Sequence, residues 1–247
     1  MSQELFFTKE TLQMQEAFKN AQDNFKYFWR ELSWEYRRII PALGFCCVKV
    51  GFHQEGFESE FMWISHIEFD GFIVKGELIN HPNMLTNVKE GDVVEIPLEE
   101  ICDWMFTSGK EVMGGFTVQV LRAEMGKKER KAHDKAWGLK FTDEIQLIHG
   151  QKAHPENLVE HPMSINMRDK MKEMLTEYPA EVTHVDEKGY TLLHKEVIAG
   201  NKTSVEALLD MGADVNIKTG NGYTALDFAK KFRWEHIIPL LERESQY

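Results

Sequence analysis

Apolar residues at Met14, Phe18, Ala21, Phe25, Phe28 and Leu32 recur at intervals of four, three, four, three and four residues. That spacing draws one apolar stripe along a helix and leaves the polar residues on the other side. Thr8 is placed to cap the helix start and Glu10 sits in its first turn, where a carboxylate complements the helix dipole. Tyr36 and Ile39 extend the stripe until Pro41 and Gly44 stop it. An aromatic stripe of this kind predicts packing against a following sheet rather than a membrane or partner face.

Beyond Gly44 the period falls to two. Phe45 to His53 places Cys46, Val48, Val50 and Phe52 on one face of a half-buried strand. Glu60 to Phe69 and Phe72 to Ile79 flank Asp70-Gly71, a dipeptide suited to a hairpin turn. Strands at Val93 to Leu98 and Ile101 to Phe106 follow a turn at Gly91, and Gly114-Gly115 is read as introducing a last strand, Phe116 to Leu121. The fold class expected is α+β: a long N-terminal helix packed on a small, strongly bent antiparallel sheet or barrel, followed by an all-α domain.

The all-α reading comes from a repeat. Gly189-Tyr190-Thr191 recurs as Gly222-Tyr223-Thr224, 33 residues on, with the Met211-Gly-Ala-Asp-Val-Asn216 segment between. A fixed period of that length marks stacked units, each leaving an apolar face for its neighbour. The stretch resembles the ankyrin repeat, which implies a surface for holding another protein. Met167 to Tyr178 then reads as the second helix of an opening half-repeat, with helices near residues 190–199, 202–211, 223–230 and 233–243. The expected division is residues 1–125 as the helix-plus-sheet domain, 126–165 as a basic helix and linker, and 166–247 as ankyrin repeats. So short an array is expected to lean on the N-terminal domain or on the apolar side of the 126–140 helix.

In the first half, Phe61-Met62-Trp63-Ile64, Gly76-Glu-Leu-Ile-Asn80, Val88-Lys-Glu-Gly-Asp92, Asp103-Trp104-Met105 and Gly114-Gly-Phe-Thr117 occur in order. Together they resemble the bacterial domain-of-unknown-function 2314 family, also called YegJ-like, over roughly residues 10 to 122. The resemblance implies a bacterial source and a family found beside ankyrin repeats; it implies no established activity.

Composition narrows the function classes. The formal net charge of −11 disfavours a general nucleic-acid binder, which needs surplus Lys and Arg on its binding face, and suits encounter with a basic partner. From Gly126 to Lys140 six Lys or Arg face only Glu129 and Asp134, read as a solvated helix anchored by Trp137 and Leu139. With no basic n-region ahead of an apolar run and no membrane-length apolar segment, the chain reads as cytoplasmic. Its three cysteines, Cys46, Cys47 and Cys102, read as reduced thiols. His149, His154 and His161, spaced by five and seven, do not make a metal set, so no metal or cofactor is expected.

Two functional readings compete. The favoured one is a non-enzymatic protein-interaction module, with an immunity or regulatory protein as its specific version and Glu187, Lys188, Tyr190, Ile198, Asn221, Tyr223 and Lys231 as contact residues, Tyr190 and Tyr223 foremost. The resemblance to ankyrin repeats implies a structural role for Thr191 and His194, which match its Thr-x-x-His pattern. Glu196 stands where a small residue is expected and is read as pairing with Lys230 or marking a lateral contact. The alternative is an enzyme or small-ligand sensor. Its pocket would gather Trp63, Asn80, Asp92, Asp103, Trp104 and Thr117, with Asp103 as acid or base.

Overall fold

A computed structural model describes residues 12–245; Thr8 and Glu10 lie outside them. Two compact units are present. Among the described residues the first comprises 12–28 and 38–149, and the second 29–37 and 150–245.

The first helix, α1, runs Leu12–Glu35. Its stripe splits between the units: Met14 to Phe28 belong to the first, whereas Arg30, Leu32 and Trp34 belong to the second. Six strands follow: β1 (Leu43–Phe52), β2 (Glu60–Phe69), β3 (Ile73–Leu78), β4 (Val93–Pro97), β5 (Ile101–Ser108) and β6 (Glu111–Gly114). They form one antiparallel sheet in the order β4-β3-β2-β1-β5-β6, with β4 and β6 at its edges.

Alternation along the strands gives the sheet two apolar faces. On one, Phe28 lies 5.6 Å from Trp104 and Phe25 5.0 Å from Phe69, ring to ring. The Trp104 indole donates to the Ala21 carbonyl at 2.8 Å, so the aromatic ring is buried without orphaning its N–H. A register shift between Ser65 and Glu68, with His66 at φ 53°, lets Ile67 and Phe69 be buried as well as Met62 and Ile64, as a bulge re-aims the side chains beyond it. The other face buries Cys47, Trp63 and Met105 with Val112, Val118 and Phe141.

Two expectations fail: α1 ends at Glu35, where the chain turns, so Tyr36 and Ile39 are 58% and 99% exposed instead of extending its stripe, and one segment expected as a strand is helical. Phe116 to Leu121, expected as a strand, lies in a helix, α2 (Phe116–Glu124). Phe116, Val118 and Val120 alternate as a strand would, but the helix start is fixed from outside the segment. Gly115 stands at φ 75°, a left-handed conformation that glycine adopts without strain, and the Asp103 carboxylate accepts the amides of Phe116 and Thr117 at 2.9 and 2.8 Å. A side chain distant in sequence therefore supplies the N-terminal cap. Helix α3 (Lys127–Trp137) follows. It is held by paired Arg122–Asp134 hydrogen bonds of 2.9 and 2.8 Å and by Trp137 set edge-on to Phe141.

The second unit contains α4 (Pro162–Asn166), α5 (Arg168–Glu177), α6 (Ala180–Thr183), α7 (Leu192–Ile198), α8 (Lys202–Asp210), α9 (Ala225–Lys231) and α10 (Ile238–Glu244). Thr191 opens α7 and Thr224 opens α9, each in a reciprocal capping box. Residues 29–37 pack within this same unit. The Trp34 indole donates to Asn201 Oδ1 at 2.9 Å, and Arg30 donates to the carbonyls of Asn157 and Leu158 at 2.7 and 3.1 Å.

Candidate functional site

The two repeat turns are built alike and lie against each other. Asp186 Oδ1 accepts the amides of Lys188 and Tyr190 at 3.1 and 2.9 Å, and its other oxygen meets Lys195 Nζ at 2.9 Å. An Asx turn of this kind fixes the tip without help from neighbouring units. The Gly220 amide then donates to the Lys188 carbonyl at 2.8 Å, joining the turns directly. Gly189, at φ 85°, permits this approach, since a Cβ there would meet Gly220 N at 2.7 Å.

Behind the tips, Thr191 Oγ1 accepts the His194 amide at 3.3 Å while His194 Nδ1 accepts the Thr191 amide at 3.1 Å. That arrangement leaves the His194 proton on Nε2, which donates to the Ile217 carbonyl at 3.1 Å. Burial lowers the His194 pKa, so the ring stays neutral while it ties one turn to the next.

On this frame Glu187, Lys188, Asn221 and Tyr223 are exposed and Lys231 is half-buried. Tyr190 and Ile198, expected at the contact surface, are 5% and 3% exposed. Tyr190 packs between His194 and Phe228, ring centroids 6.0 and 5.9 Å away, and is buried; Tyr223 also lies against Phe228, at 5.5 Å, yet remains 37% exposed. The expected pairing of Glu196 with Lys230 is also replaced. Lys230 meets Glu242 at 3.0 Å, while the buried Glu196 accepts from Arg37 at 2.7 Å and from Asn201 Nδ2 at 2.8 Å. Its large side chain fits because residues 29–37 bring it a cation.

The residues proposed as a pocket divide between the faces of the sheet. Trp63 and Asp103 flank Lys49, whose ammonium lies 5.7 Å from the Trp63 ring, on one face, and Trp104 lies on the other, the α1 side. Asn80 accepts the Trp63 amide at 2.6 Å, and Asp92 closes its own turn by accepting the Lys89 amide at 2.9 Å. Asp103 and Thr117 do come together, in the cap of α2. Asp103 is fully buried; besides the two helix amides it accepts the Trp104 amide at 2.8 Å and the Thr117 hydroxyl at 2.6 Å. Burial pushes its carboxyl up, against the pull of Thr117 and Lys49.

Lys49, 8% exposed, is its cross-strand neighbour, and burial lowers that ammonium's pKa. Sequence reasoning passed over Lys49, although a lysine inside the run Phe45-Cys-Cys-Val-Lys-Val50 signals a buried charge in need of a partner. It also passed over Glu60, 6% exposed, which accepts the amides of Asn83, Met84 and Leu85 at 2.8, 2.6 and 3.0 Å and so shapes that loop. Among the described residues no group of three or more His, Cys, Asp or Glu is placed to hold a metal. His149 lies near Glu111, His154 near Glu156, and His161 caps α4.

Comparison with known proteins bears on both units. The model of a family described as uncharacterized proteins conserved in bacteria, DUF2314, matches residues 11–141, more than half of the chain. The chain belongs to the DUF2314 family. An ankyrin repeat model matches residues 188–220, so this DUF2314 protein is also an ankyrin repeat protein. It is 48% identical over 231 residues, 92% of its length, to a Neisseria meningitidis protein named for ankyrin repeats, of which the match spans 91%. Escherichia coli YegJ, an uncharacterized protein, is 32% identical over 71 residues, 29% of this chain and 46% of YegJ. Ankyrin repeat protein 14 of vaccinia virus is 42% identical over 52 residues, 21% of this chain and 22% of the viral protein. No solved structure matches significantly.

Proposed function

We propose that this DUF2314 protein is a non-enzymatic interaction module that holds a protein partner on the tips of its ankyrin turns, as an immunity or regulatory protein does. The observation that carries the reading is the pair of turns joined through Gly220 and Lys188. Their backbones are fixed by internal caps while Glu187, Lys188, Asn221 and Tyr223 remain exposed. A rigid base with exposed polar and aromatic side chains binds at low entropic cost. Lys231 flanks the tips, whereas Tyr190 and Ile198 act from beneath, as packing. The net charge of −11 favours a basic partner.

The sensor reading has less support, because Asp103 spends its oxygens on four hydrogen bonds inside the α2 cap. Among the described residues no helix is long and apolar enough to cross a membrane. Among the described residues Cys46, Cys47 and Cys102 form no disulfide, and we assign the protein to the cytoplasm.

The test is affinity capture from the source cell beside a Lys188→Glu/Asn221→Ala/Tyr223→Ala variant with an unchanged melting curve. A stoichiometric partner lost in the variant and weakened by salt supports the proposal. A partner that the variant retains, or none with either protein, refutes it.

A further inference from the structure

Two helices carry complementary rows of charge. On α3, Lys127, Lys131 and Lys135 are spaced by four residues, and on α5 Asp169, Glu173 and Glu177 have the same spacing. Each row repeats about every 6 Å along its helix, since a residue rises about 1.5 Å, so three rungs of one match three rungs of the other. All six side chains are exposed, and none makes an ion pair among the described residues. Both helices are fixed from behind. Paired Arg122–Asp134 hydrogen bonds of 2.9 and 2.8 Å hold α3, while the fully buried Leu175 and a 2.8 Å Lys172–Asp210 pair hold α5.

The helix dipoles add a direction. Lys127 begins α3 and Glu177 ends α5, so each sits at the helix end whose partial charge has its own sign. Antiparallel pairing would join these two and set Lys131 against Glu173 and Lys135 against Asp169, with the dipoles opposed.

We propose that two copies of this chain associate through an antiparallel contact between α3 of one copy and α5 of the other. The net charge of −11 repels whole molecules, but repulsion beyond about 10 Å is largely screened at about 0.1 M salt, where the matched rows meet at closer range. A contact this small makes a weak, transient complex.

Sedimentation velocity of the full chain over a concentration series tests the contact. Larger species should grow with concentration at about 0.1 M salt and vanish at about 1 M, where the screening length is about 3 Å. Lys131→Glu/Lys135→Glu and Glu173→Lys/Glu177→Lys should each weaken association roughly tenfold or more. An equimolar mixture of the two variants should associate again, because one then supplies the acidic row and the other the basic row. The substituted positions are exposed, and matching thermal melts show that both variants are folded. A native chain that stays monomeric, reversed variants that associate as the native chain does, or a mixture that remains monomeric would each overturn the proposal.

Discussion

Replacing Asp103 tests how the first unit acquires a helix where the residue pattern predicts a strand. Asp103→Ala removes the acceptor for the amides of Trp104, Phe116 and Thr117 and for the Thr117 hydroxyl, all in a fully buried setting. Each buried donor left without a partner costs about 1–3 kcal/mol. Lys49, left buried without its counter-charge, adds to that sum, while the relief of no longer burying a carboxylate, whose pKa burial has raised, offsets part of it. The net expectation is about 3–5 kcal/mol, a large share of a typical stability of about 5–15 kcal/mol.

Asp103→Asn keeps the oxygen that serves Trp104 and Phe116 but turns an NH2 toward the Thr117 amide, so about half of the loss is expected. Hydrogen exchange resolved by segment is the assay. Amides of residues 116–124 should exchange at least about a hundredfold faster in the Ala variant, about 3 kcal/mol of lost protection, with Asn intermediate and residues 192–231 unchanged. Native-like protection of α2 in Asp103→Ala would refute the cap as the cause of the helix.

Three further outcomes follow from particular contacts. Arg37→Met should destabilise the repeat unit by about 1–2 kcal/mol in urea melts, because Arg37 is 37% exposed but Glu196 is only 1%; the Arg37→Met/Glu196→Gln double variant should cost less than the two singles added, and strict additivity would count against the pairing. Burial works to raise the Glu60 pKa, but the amides of Asn83, Met84 and Leu85 outweigh it and hold the carboxyl below its usual range. Its stabilisation is therefore complete above the unfolded pKa of about 4.3 and lost as pH falls through the lower folded value, so the gap in urea midpoint between native and Glu60→Gln chains should narrow in acid, and a constant gap would oppose this. Gly200→Ala should cost about 3 kcal/mol, since φ is +72° and the new Cβ meets the Trp234 ring at 2.5 Å; Gly212→Ala, at φ +84° with open space around it, should cost about 1 kcal/mol, and equal melting shifts would show that the Trp234 contact is unimportant.

The sequence by itself determined what depends on near neighbours. The α1 stripe to Leu32, the positions of strands β1 to β5, the Asp70-Gly71 hairpin and the repeated Gly-Tyr-Thr turns follow from local spacing and turn chemistry, which act within a few residues. Only the tertiary structure decided the rest. Phe116 to Leu121 alternates like a strand, yet it coils because Asp103, on another element, receives its first amides. Glu196 finds Arg37, 159 residues away, and the stripe of α1 divides so that Trp34 reaches Asn201. The candidate site divides along the same line. The Asp186 turn and the Thr191 and Thr224 caps are legible in the sequence, but the burial of Tyr190 and the exposure of Tyr223 are set by what surrounds each ring in space. Burial, capping at a distance and ion pairing are properties of neighbours in space, and those neighbours exist only once the chain has folded.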